Sequence, residues 1–277
     1  DTAPPLTVLL CDNLRLGNHA ELGLDAGYRC FEALLGLRTD FNVMSDWHAD
    51  AVPGTTRVMI YPAALCPDDA TMERVVSWVE QGGTLLITGD FSYTGSRALE
   101  RPERLRRLAG VEWVASRYAP TARAAQPGTA VRSAGDDAPG PLQTAAPMAT
   151  VKAVTARVLA STADGMPVLT TQALGKGKVV FCTDPLELSK DITALRGLYR
   201  GFLADAGIAL LPVTPEDPEV HAFQTPTRTG SAWVAFSRHE ASEEGSATLD
   251  TAAGMVSLGL RGRYPAIAGV SGAGQVT

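Results

Sequence analysis

The chain has 277 residues, 45% of them hydrophobic and 19% charged, and a formal net charge of -6. This composition is that of an ordinary globular protein and excludes a disordered tract or a disulfide-rich scaffold. The acidic balance, with no Lys/Arg stripe against it, gives no electrostatic hold on a phosphate backbone, so nucleic acid is not expected as a partner. No apolar run approaches the roughly 20 residues that span a bilayer, and Asp1 to Pro5 lack the basic and apolar parts of a signal peptide, so no membrane partner is expected.

Leu6 to Cys11 reads as a first strand, apolar and closed by Asp12 and Asn13. A helix follows, with Leu24, Tyr28, Phe31, Leu34 and Leu35 at the spacing that lays one stripe against a sheet, and Gly36 placed to help end it. Phe41 to Met44 and Arg57 to Tyr61 are short strands, the latter continuously apolar as in a strand covered on both faces. Asp68 or Asp69 caps the next helix, whose Met72, Val75, Val76 and Val79 share a face, and Gly82-Gly83 stops it. Thr84 to Thr88 is a buried strand. A basic helix, Pro102 to Ala109, precedes a strand from Val111 to Val114.

Residues Ala119 to Ala149 are dense in Ala, Pro, Gly and Thr without sustained periodicity, and read as a long excursion, irregular or with an edge strand; whether it covers a ligand site is not set by the sequence. Val154 to Ala160, Val168 to Ala173 and Val179 to Cys182 then read as adjacent antiparallel strands, the last two joined by a Gly175-Lys176-Gly177 turn. A final helix carries Ile192, Leu195, Leu198, Tyr199, Phe202 and Leu203 on one face. After Pro212 no further helix is evident, and strands are expected at Val220 to Gln224, Ala232 to Ser237, Ala247 to Asp250 and Met255 to Leu260. The pattern implies an α/β protein: a flavodoxin-like, open, mostly parallel sheet with helices on both faces over residues 1–212, then a small β-sandwich-like domain over residues 213–277. The strand-like end at Val276-Thr277 suggests a chain cut from a longer protein.

No complete catalytic motif is present. Gly175-Lys176-Gly177-Lys178 lacks the glycine spacing, the Ser/Thr and the following helix of a phosphate loop. The four cysteines, Cys11, Cys30, Cys66 and Cys182, have no CxxC spacing and are expected as separate buried thiols, with no metal site and no cofactor implied; their usage points to a reducing, cytoplasmic interior. Flavodoxin-like sheets also carry thiol amidotransferases with a Gly-x-Cys-x-Gly elbow, but Thr88-Gly89-Asp90-Phe91-Ser92 stands at that place without a cysteine. Among Asp12, His19, Asp40, Asp46, His48, Asp50 and Asp90, only Asp12 and Asp90 fall at carboxyl ends of parallel strands, where such sheets bind ligands. Asp40, Asp46 and Asp50 read as solvated loop caps. The candidate substrate-binding residues are therefore Asp12, Asp90, Ser92 and Tyr93, with no catalytic residue assigned.

Met59-Ile60-Tyr61-Pro62, the helix through Val79, and Gly82-Gly83-Thr84-Leu85-Leu86-Ile87-Thr88-Gly89 together resemble the trimerisation domain of bacterial β-galactosidases and related glycoside hydrolases. Leu159-Ala160, Gly165-x-Pro167-Val168-Leu169 and Leu174-Gly175-Lys176-Gly177-Lys178-Val179-Val180-Phe181 resemble the end of the same amidotransferase-like domain. The resemblance covers most of residues 5 to 212. It implies a noncatalytic accessory and oligomerisation region, partnered by a TIM-barrel domain of the same protein that holds the catalytic glutamates, since this chain lacks the eightfold βα repeat of a barrel. It also implies a homo-oligomer and contact with carbohydrate. Two other readings stay open: an autonomous amidotransferase-like or sugar-handling hydrolase using Asp12, Asp90, Ser92 or Tyr93 under the Ala119 to Ala149 excursion, and a carbohydrate-binding module with Trp113, Tyr118, Trp233 and Tyr264 as its aromatic platform.

Overall fold

A computed structural model describes residues 3–16, 20–96, 101–116, 129–133, 143–144, 149–189, 192–211, 213–214, 217, 219–227, 229–238, 244–251, 254–261, 264–271, 273 and 275–276. The chain divides into two compact units, Asp1–Phe31 with Phe41–Gly207, and Glu32–Asp40 with Ile208–Thr277.

The first unit is a mixed α/β structure built on one parallel-rich sheet. In chain order it contains β1 (Leu6–Leu10), α1 (Asp12–Arg15), most of α2 (Ala20–Gly36), β2 (Asn42–Ser45), a 3-10 turn (Asp46–Ala51), β3 (Val58–Tyr61), α3 (Asp69–Glu80) and β4 (Thr84–Thr88). Next come α4 (Pro102–Arg104) running into a π-helical turn (Leu105–Ala109), β5 (Val111–Ser116), β6 (Thr129–Ser133), β7 (Gln143–Thr144) and β8 (Ala149–Ala153). The unit closes with β9 (Arg157–Thr162), β10 (Pro167–Leu174), β11 (Gly177–Cys182), a 3-10 turn (Leu186–Leu188) and α5 (Ile192–Asp205). The sheet order is β2-β1-β3-β4-β11-β10-β9-β6-β7. From β2 to β11 the pairs are parallel, and from β11 onward they are antiparallel.

The helix before β2 turns a different face inward from the one its large side chains suggest. Gly23, Ala26, Gly27, Cys30, Ala33 and Leu34 are buried, while Leu24 is 55% and Tyr28 67% exposed. Small residues let this helix approach closely: a Cβ on Gly27 would lie 3.4 Å from Leu10 of β1, and one on Gly23 would lie 2.6 Å from the Arg15 side chain. Bulk on that face would push the helix off. By contrast, α3 buries the expected Met72, Val75, Val76 and Val79, and its N-cap Asp68 accepts the Thr71 N–H at 2.6 Å. The turn between β10 and β11 sits on the far end of α3. Lys176 N–H donates to the Glu80 carbonyl at 2.9 Å, and a Cβ on Gly177 would fall 2.1 Å from the Val79 carbonyl, so this hairpin has no room for side chains at its glycines.

The stretch between β5 and β9 is partly strand. β6 pairs with β9 and β7 near the edge of the main sheet, β8 pairs with β5 in a separate ribbon, and the remainder of the Ala119 to Ala149 excursion lies outside the described residues. The strand expected from Val154 to Ala160 is split: Val154, Thr155 and Ala156 all donate to the Gly110 carbonyl, and β9 begins at Arg157.

In the second unit, the end of α2 closes on Arg38 instead of Gly36. Arg38 N–H donates to Leu35 and Thr39 N–H to Leu34, with Arg38 at φ 56, the paired bonds that seal a helix through a left-handed residue. An arginine bears the backbone strain that glycine would avoid, and its buried guanidinium donates to the Asp217 and Val220 carbonyls. The remaining elements are β12 (Val213–Thr214), β13 (Val220–Thr227), β14 (Gly230–Ser237), β15 (Glu244–Thr251), β16 (Gly254–Arg261) and β17 (Ala266–Ser271). They form two three-stranded sheets, β12-β15-β16 and β13-β14-β17. Residues from both, including Val213, Val220, Trp233, Leu249, Leu260 and Val270, make one core.

Candidate functional site

Asp12, the first residue of α1, follows β1 directly and is held from three sides. Its carboxylate accepts from Arg15 Nη1 at 2.7 Å and from the Ser45 hydroxyl, and its own N–H donates to Asp46 Oδ1 at 3.1 Å. Asp46, expected as a solvated cap, is instead fully buried. The 3-10 turn after β2 folds it inward, where its other oxygen accepts the Tyr61 hydroxyl at 2.6 Å and its carbonyl accepts Thr71 Oγ1 at 3.0 Å. Burial pushes the Asp46 carboxyl up, and the bonds from Tyr61 and the Asp12 amide offset part of that. Trp47, His48 and Asp50 stay exposed.

The loop after β4 holds Asp90, Ser92 and Tyr93. Asp90 is buried, its carboxylate accepting Ser92 N–H at 3.1 Å and Trp113 Nε1 at 3.3 Å. Ser92 is also buried, and its hydroxyl has no hydrogen-bond partner among the described residues. Tyr93 is partly buried against the core. One residue outside the sequence expectation organises this loop. Arg104 is 8% exposed, and its Nη1 donates to the carbonyls of Pro67, Phe91 and Tyr93 at 3.0, 3.3 and 2.9 Å, while Nη2 bonds Asp69. A cation in a basic helix ordinarily faces water; here a short helix ending in a π turn aims it at two loops.

A second buried acid also went unmarked by sequence. Glu187, past the end of β11, accepts Thr88 Oγ1 at 2.8 Å and the Tyr199 hydroxyl at 2.7 Å, and Thr88 Oγ1 accepts Ala63 N–H at 2.8 Å. Burial raises its carboxyl above the ordinary glutamate range. The four cysteines are free and buried.

The structure thus joins Asp12 to Asp46, and Asp90 to Ser92 and Tyr93. Asn13 lies at the seam of the two loops, donating to the Cys66 carbonyl at 3.2 Å and leaving no space for a Cβ on Gly95. Each carboxylate is an acceptor for the protein's own donors, which fixes the loops beyond the strand ends. Paired acids that cleave a glycosidic bond must instead face that bond across a gap. His19 and Tyr118 lie outside the described residues; Trp233 is buried and Tyr264 is 71% exposed. Among the described residues no group of three or more His, Cys, Asp or Glu is placed to hold a metal, and no helix is long and apolar enough to cross a membrane.

Fold and strand-end loops define a mixed α/β chain with a parallel-rich sheet, followed by two small three-stranded sheets. The chain belongs to the family described as Domain of unknown function (DUF4350), which matches residues 28–189, more than half its length. No curated protein matches it. Among solved structures it is similar to the β-galactosidase from Bacillus circulans sp. alkalophilus, with 19% identity, TM-score 0.70, 95% of this chain and 41% of that one. It is similar also to a GH42 β-galactosidase from G. stearothermophilus, with 15% identity, TM-score 0.74, 96% of this chain and 40% of that one. An α-L-fucosidase from Paenibacillus thiaminolyticus shares the fold at 11% identity, TM-score 0.63, 89% of this chain and 42% of that one. The chain spans about two fifths of the length of these proteins.

Proposed function

We propose that the chain is a noncatalytic accessory and oligomerisation region of a β-galactosidase-type glycoside hydrolase. Its first unit would be the flavodoxin-like, amidotransferase-like trimerisation domain, with helices on both faces of the sheet, and residues 213–277 the start of a C-terminal β-domain. The observation that carries this reading is that nearly the whole chain, 95% and 96%, superposes on about two fifths of two β-galactosidases. That share leaves room in such proteins for a barrel of roughly 250 residues. The engaged state of Asp12, Asp46, Asp90 and Glu187 supports a structural use for these acids. In this reading the partners are the TIM-barrel domain of the same protein and further copies of the chain. Carbohydrate is met through Asp12, Asp90, Ser92 and Tyr93 on the strand-end loops.

The test is turnover of a chromogenic β-galactoside by the chain alone, with its mass in solution measured by light scattering. The expected result is no turnover above buffer and a mass that is a multiple of 29.1 kDa. Turnover by the chain alone that is lost in both Asp12→Asn and Asp90→Asn would replace this reading with that of an autonomous hydrolase.

A further inference from the structure

We propose that the 3-10 turn after β2 carries a surface subsite for a neutral pyranose, with the Trp47 indole as its stacking surface. It rests on the carbohydrate contact of the accessory-region reading and adds an aromatic platform beside Asp12. Strands β1 and β2 are parallel, with Leu10 opposite Ser45. Asp12 and Trp47 each stand two residues past that pair, at the carboxyl ends where open α/β sheets bind ligands. The Ser45 hydroxyl ties them together, donating to the Asp12 carboxylate and accepting the Trp47 N–H at 3.2 Å. The turn is pinned from within by Asp46, whose carboxylate accepts the Tyr61 hydroxyl and whose carbonyl accepts Thr71 Oγ1. Of the four tryptophans, Trp78 and Trp113 pack on the core of the sheet unit and Trp233 lies in that of the β unit, whereas Trp47 is 46% exposed. An indole left half in water on a pinned turn offers a flat apolar surface at little ordering cost.

Two ion pairs flank the turn. Arg15 and Asp12 lie 2.7 Å apart at the end of β1. Arg74 of α3, whose Nη1 is 3.5 Å from the Trp47 carbonyl, pairs with Asp50 at 3.8 Å. All four side chains keep part of their surface in solvent. Their charges cancel, so the setting favours neither a phosphate nor a cation. Carboxylate acceptors and guanidinium donors held around one aromatic surface instead suit a ligand that is ringed by hydroxyls. A β-galactoside has both parts: an apolar C–H face for the indole and a hydroxyl rim for the paired charges. Binding here makes and breaks no covalent bond.

The test titrates the full, isotope-labelled chain with β-1,4-galactotriose and follows the tryptophan indole N–H resonances, with saturation transfer to the sugar protons. Expected is saturable binding in the millimolar range that shifts the Trp47 resonance. Trp47→Ala should weaken binding by about tenfold or more and leave the thermal midpoint unchanged. Trp47→Phe, which keeps a ring and assigns the Trp47 resonance, should retain most of the binding. Galactitol, which has the hydroxyls without the ring face, should not bind. No saturable binding, binding that survives Trp47→Ala, or an equal response to galactitol would overturn the proposal. So would a changed mass in solution for Trp47→Ala, which would make the indole a contact between copies. If Trp47→Ala does not fold, the resonance shift in the unsubstituted chain decides alone. Turnover and mass of the unsubstituted chain test the accessory-region reading separately, so a failed titration of an inactive oligomer sinks the subsite and leaves that reading standing.

Discussion

The two units solve the problem of holding loops and strands in opposite ways. The sheet unit has a broad aliphatic core and, at its strand ends, buried polar hubs: Asp46, Asp90, Glu187 and Arg104. Each hub binds groups far apart in sequence, and each is satisfied by specific donors or acceptors. The β unit has a smaller core, in which Val213, Val220, Ala222, Ala235, Ala247 and Val270 pack with Leu249, Leu260 and Trp233, the largest of them. The lesson is that the second unit relies on a compact apolar core shared by its two sheets, while in the first polar residues also fix loop positions.

Substitutions break this comparison at different depths. The largest effect is expected for Trp233→Ala, which removes the largest side chain of the β core and should cost about 3–5 kcal/mol in urea unfolding of that unit. Arg104→Met should cost on the order of 3 kcal/mol, because three carbonyls lose their buried donor. The Asp69 pairing adds little to that, since Asp69 is itself largely exposed. Arg104→Lys should recover part of the loss. Ala26→Leu, on the small-residue face of α2, should cost about 1–3 kcal/mol through overpacking, measured as a lowered thermal midpoint.

Glu187 gives the pH test. Its folded carboxyl is raised by burial above the ordinary value of 4.5, so above that pH the folded chain holds more protons than the unfolded one. The stability it contributes is full below the unfolded value and is lost as pH rises through the folded one. Glu187→Gln should therefore flatten the fall in denaturant midpoint as pH rises above the ordinary glutamate value of 4.5; an unchanged slope would assign that fall to other groups. The smallest effect is expected for Leu24→Ala, an exposed position, within about 0.5 kcal/mol, even though the sequence pattern places it on a core stripe.

That contrast shows where the sequence was legible. Strands read well because continuous β-formers such as Val58 to Tyr61 and Thr84 to Thr88 have little alternative to burial, and α3 read well because its core face is made of large apolar residues. The buried face of α2 did not, since glycine, alanine and cysteine carry a weak hydrophobic signal, yet close approach selects them. Asp12 and Asp90 were placed at strand ends by counting alone. Asp46, Arg104 and Glu187 were missed because what buries a charge is a partner distant in sequence: Tyr61 for the first, three loop carbonyls for the second, Thr88 and Tyr199 for the third.

The central claim is that this chain is the accessory part of a larger hydrolase, and the most direct test is to sequence the open reading frame that encodes it. The account predicts, in frame before Asp1, a region of roughly 250 residues with an eightfold βα pattern and two catalytic glutamates. A reading frame whose start codon lies immediately before Asp1 would contradict it, and would make the Asp12 and Asp90 loops the first place to look for activity.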